Sequence, residues 1–253
     1  MGLLNKLGNA IGGHSPRENG RGAVHGRNGV NGNGNGHAAP VATGAHREPE
    51  MQGVTRVSNG LKEFLWNLDG LGRGTLLDLG PAWQTTLNFF IERGFRVTSD
   101  DILRDWSEFQ AQELAKNKAE LAVEEYAART PEGLAKKFLE ENLQYGPSSF
   151  DALLLWDSLD YLEPTLVKPM VGQLSEMLRP GGVVLGMFHS KKPEGFQRYR
   201  VMDTSTLQVL SAKPILGAQK PLQNRQIQEL FGRFRTMKSF VGRDQLRESL
   251  FIK

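Results

Sequence analysis

The sequence predicts an α/β fold: a mostly parallel sheet flanked by helices, finished by an antiparallel β-hairpin and preceded by a disordered N-terminal tail. Three observations lead there. Residues 76–101 read as strand, glycine turn, helix, strand and carboxylate. Two later runs, residues 150–156 and 183–188, have the unbroken hydrophobicity of strands buried on both faces. The chain then ends in two short strands, 237–241 and 249–252, too close together to pair in any way but antiparallel.

The tail comes first along the chain. Residues 1–50 contain no Phe, Trp or Tyr and hold 12 of the 29 glycines, so they offer too little apolar surface to offset the entropy of ordering. Two domains are expected: a disordered Gly/Asn-rich tail over 1–50 and an α/β domain over 51–253. The first residues, Met1-Gly2-Leu3-Leu4-Asn5-Lys6, begin like an acylation signal, but Lys6 stands where Ser or Thr is required. Leu3, Leu4, Leu7 and Ile11 leave room only for a peripheral membrane contact, and no apolar run is long enough to span a bilayer. The absence of cysteine removes disulfides and thiolate metal sites and fits a cytoplasmic protein. Histidines 14, 25, 37 and 46 lack tight ligand spacing, so no metal site is expected.

The domain's elements follow in order. Leu61, Phe64, Leu65 and Leu68 repeat at helical spacing up to Gly70, a short amphipathic helix expected to lid the sheet edge or the site. Leu76 and Leu77 enter the turn at Gly80. A helix follows with Leu87, Phe90 and Ile91 on one face and stops at Gly94; residues 95–98 form the second strand, with Asp101 after it. A polar helical stretch holds Trp106, Phe109, Leu121 and Tyr126 as sparse anchors, and Thr130-Pro131 starts a further helix through Leu134, Phe138 and Leu139. Residues 150–156 mark the middle of the sheet. Pro164, Val167, Val171, Leu174 and Met177 make the next helix, stopped by Pro180-Gly181-Gly182 before the strand at 183–188. Asn224 caps a last helix with Ile227, Leu230 and Phe231 buried, ahead of the terminal hairpin.

This order resembles the class I methyltransferases that use S-adenosylmethionine, a Rossmann-like family. Three stretches carry the resemblance: Leu76-Leu77-Asp78-Leu79-Gly80 with Asp101, residues 150–157, and Leu178-Arg179-Pro180-Gly181-Gly182 before an apolar strand. The family's cofactor loop resembles Asp-Leu-Gly-x-Gly-x-Gly. Here it reads Asp78-Leu79-Gly80-Pro81-Ala82-Trp83-Gln84, with two of three glycines replaced. Glycine serves there because the cofactor's methionine part approaches the backbone closely. Gln84 therefore either obstructs the site or binds the methionine carboxylate through its amide.

The resemblance implies S-adenosylmethionine as cofactor, with Asp78, Gly80 and Gln84 at its methionine end. Asp101, or the adjacent Asp100, would hold the ribose, and Glu140, Glu141 or Asn142 the adenine. Asp157 and His189 follow the two central strands and are the candidate bases for a methyl transfer that otherwise needs mainly proximity. Two functions stand: a methyltransferase acting on a small-molecule or protein substrate, or a catalytically inactive scaffold with the same fold. A nicotinamide dehydrogenase is disfavoured, because the turn lacks Gly-x-Gly-x-x-Gly. Residues 190–253 carry 13 Lys and Arg against 5 Asp and Glu, an excess that attracts acidic partners. Aromatic and basic residues do not interleave there as on a nucleic-acid platform, so nucleic acid is an unlikely partner.

Overall fold

The computed structural model describes residues 53–117 and 130–253. The expected disordered tail over 1–50, its membrane-contact residues, and the anchors Leu121 and Tyr126 lie outside the described residues. Strand β1 (Gly53–Val57) leads into α1 (Asn59–Leu68), which starts at Ser58 because its Oγ accepts a hydrogen bond from Leu61 N. Next come β2 (Gly74–Asp78), α2 (Gln84–Ile91), β3 (Phe95–Ser99), α3 (Ile102–Asn117), α4 (Pro131–Glu141) and β4 (Phe150–Trp156). A single 3-10 turn, Ser158–Asp160, precedes α5 (Pro164–Met177). Then follow β5 (Leu178–His189), β6 (Phe196–Val201), β7 (Thr206–Ala212), α6 (Asn224–Leu230), β8 (Thr236–Val241) and β9 (Leu246–Ile252).

The expected sheet is present, with six strands in the order β3-β2-β4-β5-β9-β8. The first four run parallel; β9 is antiparallel to β5, and β8 to β9. Strand β9 therefore inserts between β5 and β8. Residues 180–182 do more than stop a helix. Strand β5 already pairs at Leu178 with Phe150, and the register then jumps to Val183 opposite Ala152, so Pro180-Gly181-Gly182 forms a bulge with Gly181 at φ +79°.

Side-chain packing departs from the expected face in helix α2. Helix α2 buries Thr86, Phe89 and Phe90, whereas Ile91 is 54% exposed; the apolar face is turned toward Phe64 and Phe95, whose rings meet Phe90 edge-on. Helix α1 packs on β5, β9 and the edge strand β8, the sheet-edge alternative of its expectation. Of the two hairpin phenylalanines, Phe251 is fully buried and stacks on Phe231 at 3.7 Å, but Phe240 on the edge strand is only half-buried.

One element was not legible at all. Strands β1, β7 and β6 form a separate antiparallel sheet, in the order β1-β7-β6. Strand β6 carries Arg198 and Arg200 among apolar residues, which breaks any hydrophobic periodicity, yet both arginines are buried. This sheet is tied to the main one by Arg56 of β1, which pairs with the buried Glu248 of β9 at 2.8 Å, while Glu248 also accepts from Ser58 Oγ and Gly60 N.

Candidate functional site

In an open parallel sheet the ligand crevice lies beyond the carboxyl ends of the strands. Those ends are set here by backbone bonds: Leu79 N donates to Leu154 O at 2.9 Å, and Asp100 N to Asp78 O at 2.9 Å. The glycine turn, the β3 carboxylates, the end of β4 and the end of β5 are thus brought to one edge. Strand β6 is laid across that edge, since Val201 N donates to Thr86 Oγ1 of α2 at 3.0 Å.

Asp78 is buried, and its Oδ1 accepts two hydrogen bonds, from Gly80 N at 2.9 Å and from the indole Nε1 of Trp156 at 2.6 Å. Burial pushes its pKa up to about 6, against the pull of the Trp156 and Gly80 bonds. Its Oδ2 has no hydrogen-bond partner among the described residues. Gly80 is glycine for a reason of contact rather than conformation: a Cβ built there would stand 2.6 Å from Trp156 Nε1. The close approach expected of a cofactor is made by a side chain of the protein itself.

Trp156 is held firmly in that position. It closes β4 with a left-handed backbone at φ +52°, which costs a non-glycine residue about 1 kcal/mol or more and persists only where neighbours impose it. Its ring lies parallel to Tyr199 of β6, centroids 5.7 Å apart and planes 8° from coplanar. Gln84, by contrast, is exposed at the start of α2, where its Nε2 donates to Asn88 Oδ1 at 2.6 Å. The side chain packed against Gly80 is Trp156.

The carboxylates of β3 are also engaged. Both oxygens of Asp101 lie 3.0 Å from Arg198 Nη2, in a pair with each side chain about nine-tenths buried. Asp100 accepts from Tyr145 OH at 2.7 Å. Arg200, also of β6, lies over the Trp83 ring at 4.6 Å. Of the residues offered for adenine, Glu141 is exposed and Asn142 Nδ2 turns back to Phe138 O at 2.9 Å; Glu140 is exposed near Lys136.

Asp157 and His189 come together, in a cluster that sequence could not assemble. His189 Nδ1 lies 3.0 Å from Asp160 Oδ2 and 3.9 Å from Asp157 Oδ2, and its backbone N–H also donates to Asp160 at 2.7 Å. Tyr199 OH donates to Asp157 Oδ2 at 3.1 Å. Burial raises the Asp157 pKa to about 7; His189 opposes the rise and the Asp160 charge adds to it. Burial would depress His189, but the Asp160 hydrogen bond and the charges of Asp157 and Asp160 outweigh it, so its pKa is raised. Asp157 and His189 thus both hold a proton more tightly than the free side chains do. Among the described residues no cluster suits a metal ion.

Arg198 and Tyr199 are residues that sequence reasoning missed. The only available signal for them was an aromatic-basic pattern, Phe196-Gln197-Arg198-Tyr199-Arg200, in the segment between the last parallel strand and the final helix.

No protein-family profile and no curated protein matches the chain. Solved structures do. The 1,6-didemethyltoxoflavin-N1-methyltransferase of Burkholderia thailandensis, solved with S-adenosylhomocysteine, is 16% identical, covering 77% of this chain and 78% of that one at a TM-score of 0.39. The N-methyltransferase NodS of Bradyrhizobium japonicum, also solved with S-adenosylhomocysteine, is 12% identical over 76% of this chain and 85% of its own, at 0.39. A SAM-dependent methyltransferase from Archaeoglobus fulgidus is 11% identical over 76% and 91%, at 0.43. Many methyltransferase structures thus match about three quarters of the chain at low identity.

Proposed function

We propose that residues 51–253 are a methyltransferase-like domain that works without S-adenosylmethionine, as a non-catalytic binding scaffold. One observation carries this reading. The Trp156 indole lies against Gly80 and on Asp78, in the space that the class I resemblance gives to the cofactor's methionine end.

The residues present do not fit that cofactor. Its amino-acid end would meet the Gly80 turn and Asp78, and its ribose a β3 carboxylate; Asp100 and Asp101 already have partners within the protein, and Asp78 is engaged through Oδ1, with Oδ2 left over. Taking Arg198 from Asp101 would leave buried charge unpaired, at a cost of about 3–5 kcal/mol. Moving Trp156 would also break its stack on Tyr199 and expose an apolar surface. A ligand would have to outbid these internal contacts before gaining anything.

A second reading, a true methyltransferase, is favoured by the meeting of His189 with Asp157. It would need β6 to swing away and carry off Arg198 and Tyr199 together. Calorimetric titration with S-adenosylmethionine and S-adenosylhomocysteine separates the two. The scaffold reading expects no binding by the natural chain; a one-to-one isotherm of micromolar affinity would overturn it. Trp156→Gly, which suits the left-handed backbone, is the companion: binding gained only in that variant would identify the indole as the plug.

A further inference from the structure

A cavity of about 440 Å³ opens between α5, the segment before α6, α6 itself and the turn after it, a size that suits a small organic ligand. None of its wall comes from the glycine turn, β3 or β6. The floor is apolar: Leu159, Leu162 and Val171 are fully buried, and Leu222, Leu230 and Phe234 are partly covered. The approach segment is anchored, since Gln219 N donates to Asp160 O at 2.8 Å.

The rim has a different chemistry. Lys168, Lys220 and Arg233 stand on it. Neither lysine has an ion-pair partner among the described residues, and Arg233 reaches Glu176 only at 3.5 Å. The acid on the wall, Glu229, is held by Arg225 at 2.9 Å. The opening also belongs to the part of the chain in which 13 basic residues face 5 acidic ones. Gly172 of α5 supplies the room: a Cβ added there would meet nothing within 4 Å. A glycine in mid-helix destabilises it by about 1 kcal/mol relative to alanine, and here that cost leaves open space on the cavity wall.

We infer that this cavity binds an anionic amphiphile, a free carboxylate with an apolar chain, whose tail lies on Leu159, Val171 and Phe234 and whose head is met by Lys168 and Lys220. Apolar burial supplies the attraction and the rim cations select the sign of the head group.

The test uses the full chain and monomeric dodecanoate, with dodecylammonium as the matched cation, followed by calorimetry. Dodecanoate is expected to bind one-to-one and at least fivefold more tightly than dodecylammonium. The double variant Lys168→Glu/Lys220→Glu should remove that preference. Gly172→Leu should weaken binding at least tenfold while the melting temperature holds or rises, because the new side chain fills space and improves the helix. The inference is overturned by equal affinity for the two head groups, by binding that survives Gly172→Leu, or by no binding. Co-sedimentation with anionic vesicles in the absence of dodecanoate binding would also overturn it, assigning the basic rim to a membrane surface. The outcome is independent of the cofactor titration, since the two sites share no wall residue.

Discussion

The indole nitrogen of Trp156 donates to Asp78 across 2.6 Å, and a Cβ on Gly80 would stand at that same distance from it. The stretch Asp78-Leu79-Gly80, which carries part of the resemblance, thus serves an internal contact. The glycine admits a tryptophan and the carboxylate receives its N–H, so the closed edge of the sheet is built from the residues expected to hold it open. Tyr199 completes the closure by stacking on the indole while bonding to Asp157.

Replacing Trp156 tests how much stability this closure contributes. Trp156→Gly removes a buried indole, worth about 3–5 kcal/mol, and regains about 1 kcal/mol from the relaxed left-handed backbone. Urea denaturation should therefore place the variant below the natural chain by roughly 2–4 kcal/mol. A neutral effect would mean that the indole is not packed as described.

The Asp101–Arg198 pair should behave as a buried ion pair. Removing one partner, in Asp101→Asn or Arg198→Met alone, is expected to cost about 3–5 kcal/mol. The double variant should recover most of that loss, because no charge is left unpaired. Additive losses in the double-mutant cycle would contradict the pairing.

Asp157, Asp78 and His189 should make mild acid stabilising, in the sense opposite to salt-bridged carboxylates such as Asp151. Asp157 titrates at about 7 and Asp78 at about 6, both raised by burial above the ~3.9 of an unfolded aspartate. Between about pH 4 and about pH 7 the folded chain holds more protons than the unfolded one, so stability falls as pH rises through that window. His189 acts in the same sense: its raised pKa contributes stability fully below the unfolded ~6.5 and loses it as pH rises through the folded value. The natural chain should be more stable at about pH 5 than at about pH 8, and Asp157→Asn should flatten the difference. A slope that is unchanged in the variant would remove Asp157 from the account.

The two hairpin phenylalanines should differ. Phe251→Ala empties a site against Phe188 and Phe231 and is expected to cost about 3–5 kcal/mol. Phe240, half-buried on the edge strand β8, should cost distinctly less. Equal losses at both positions would place Phe240 in the core after all.

Much of the framework was legible in the sequence because its cause is local and apolar. Residues 150–156 could only be a strand buried on both faces, the repeat at Leu61, Phe64 and Leu68 could only be one face of a helix, and closely spaced terminal strands could only pair antiparallel. Those patterns determined the α/β class and the order of its main elements. The site was decided otherwise. Arg198 reads as a surface charge until Asp101, 97 residues earlier, neutralises it, and Trp156 reads as the last apolar residue of a strand until Tyr199 and Asp78 close around it. Burial of a charge or of an aromatic hydrogen-bond donor depends on partners brought together by tertiary packing. No local periodicity encodes that, which is why the sequence by itself determined the α/β framework and only the tertiary structure decided which side chains meet at the carboxyl ends of its strands.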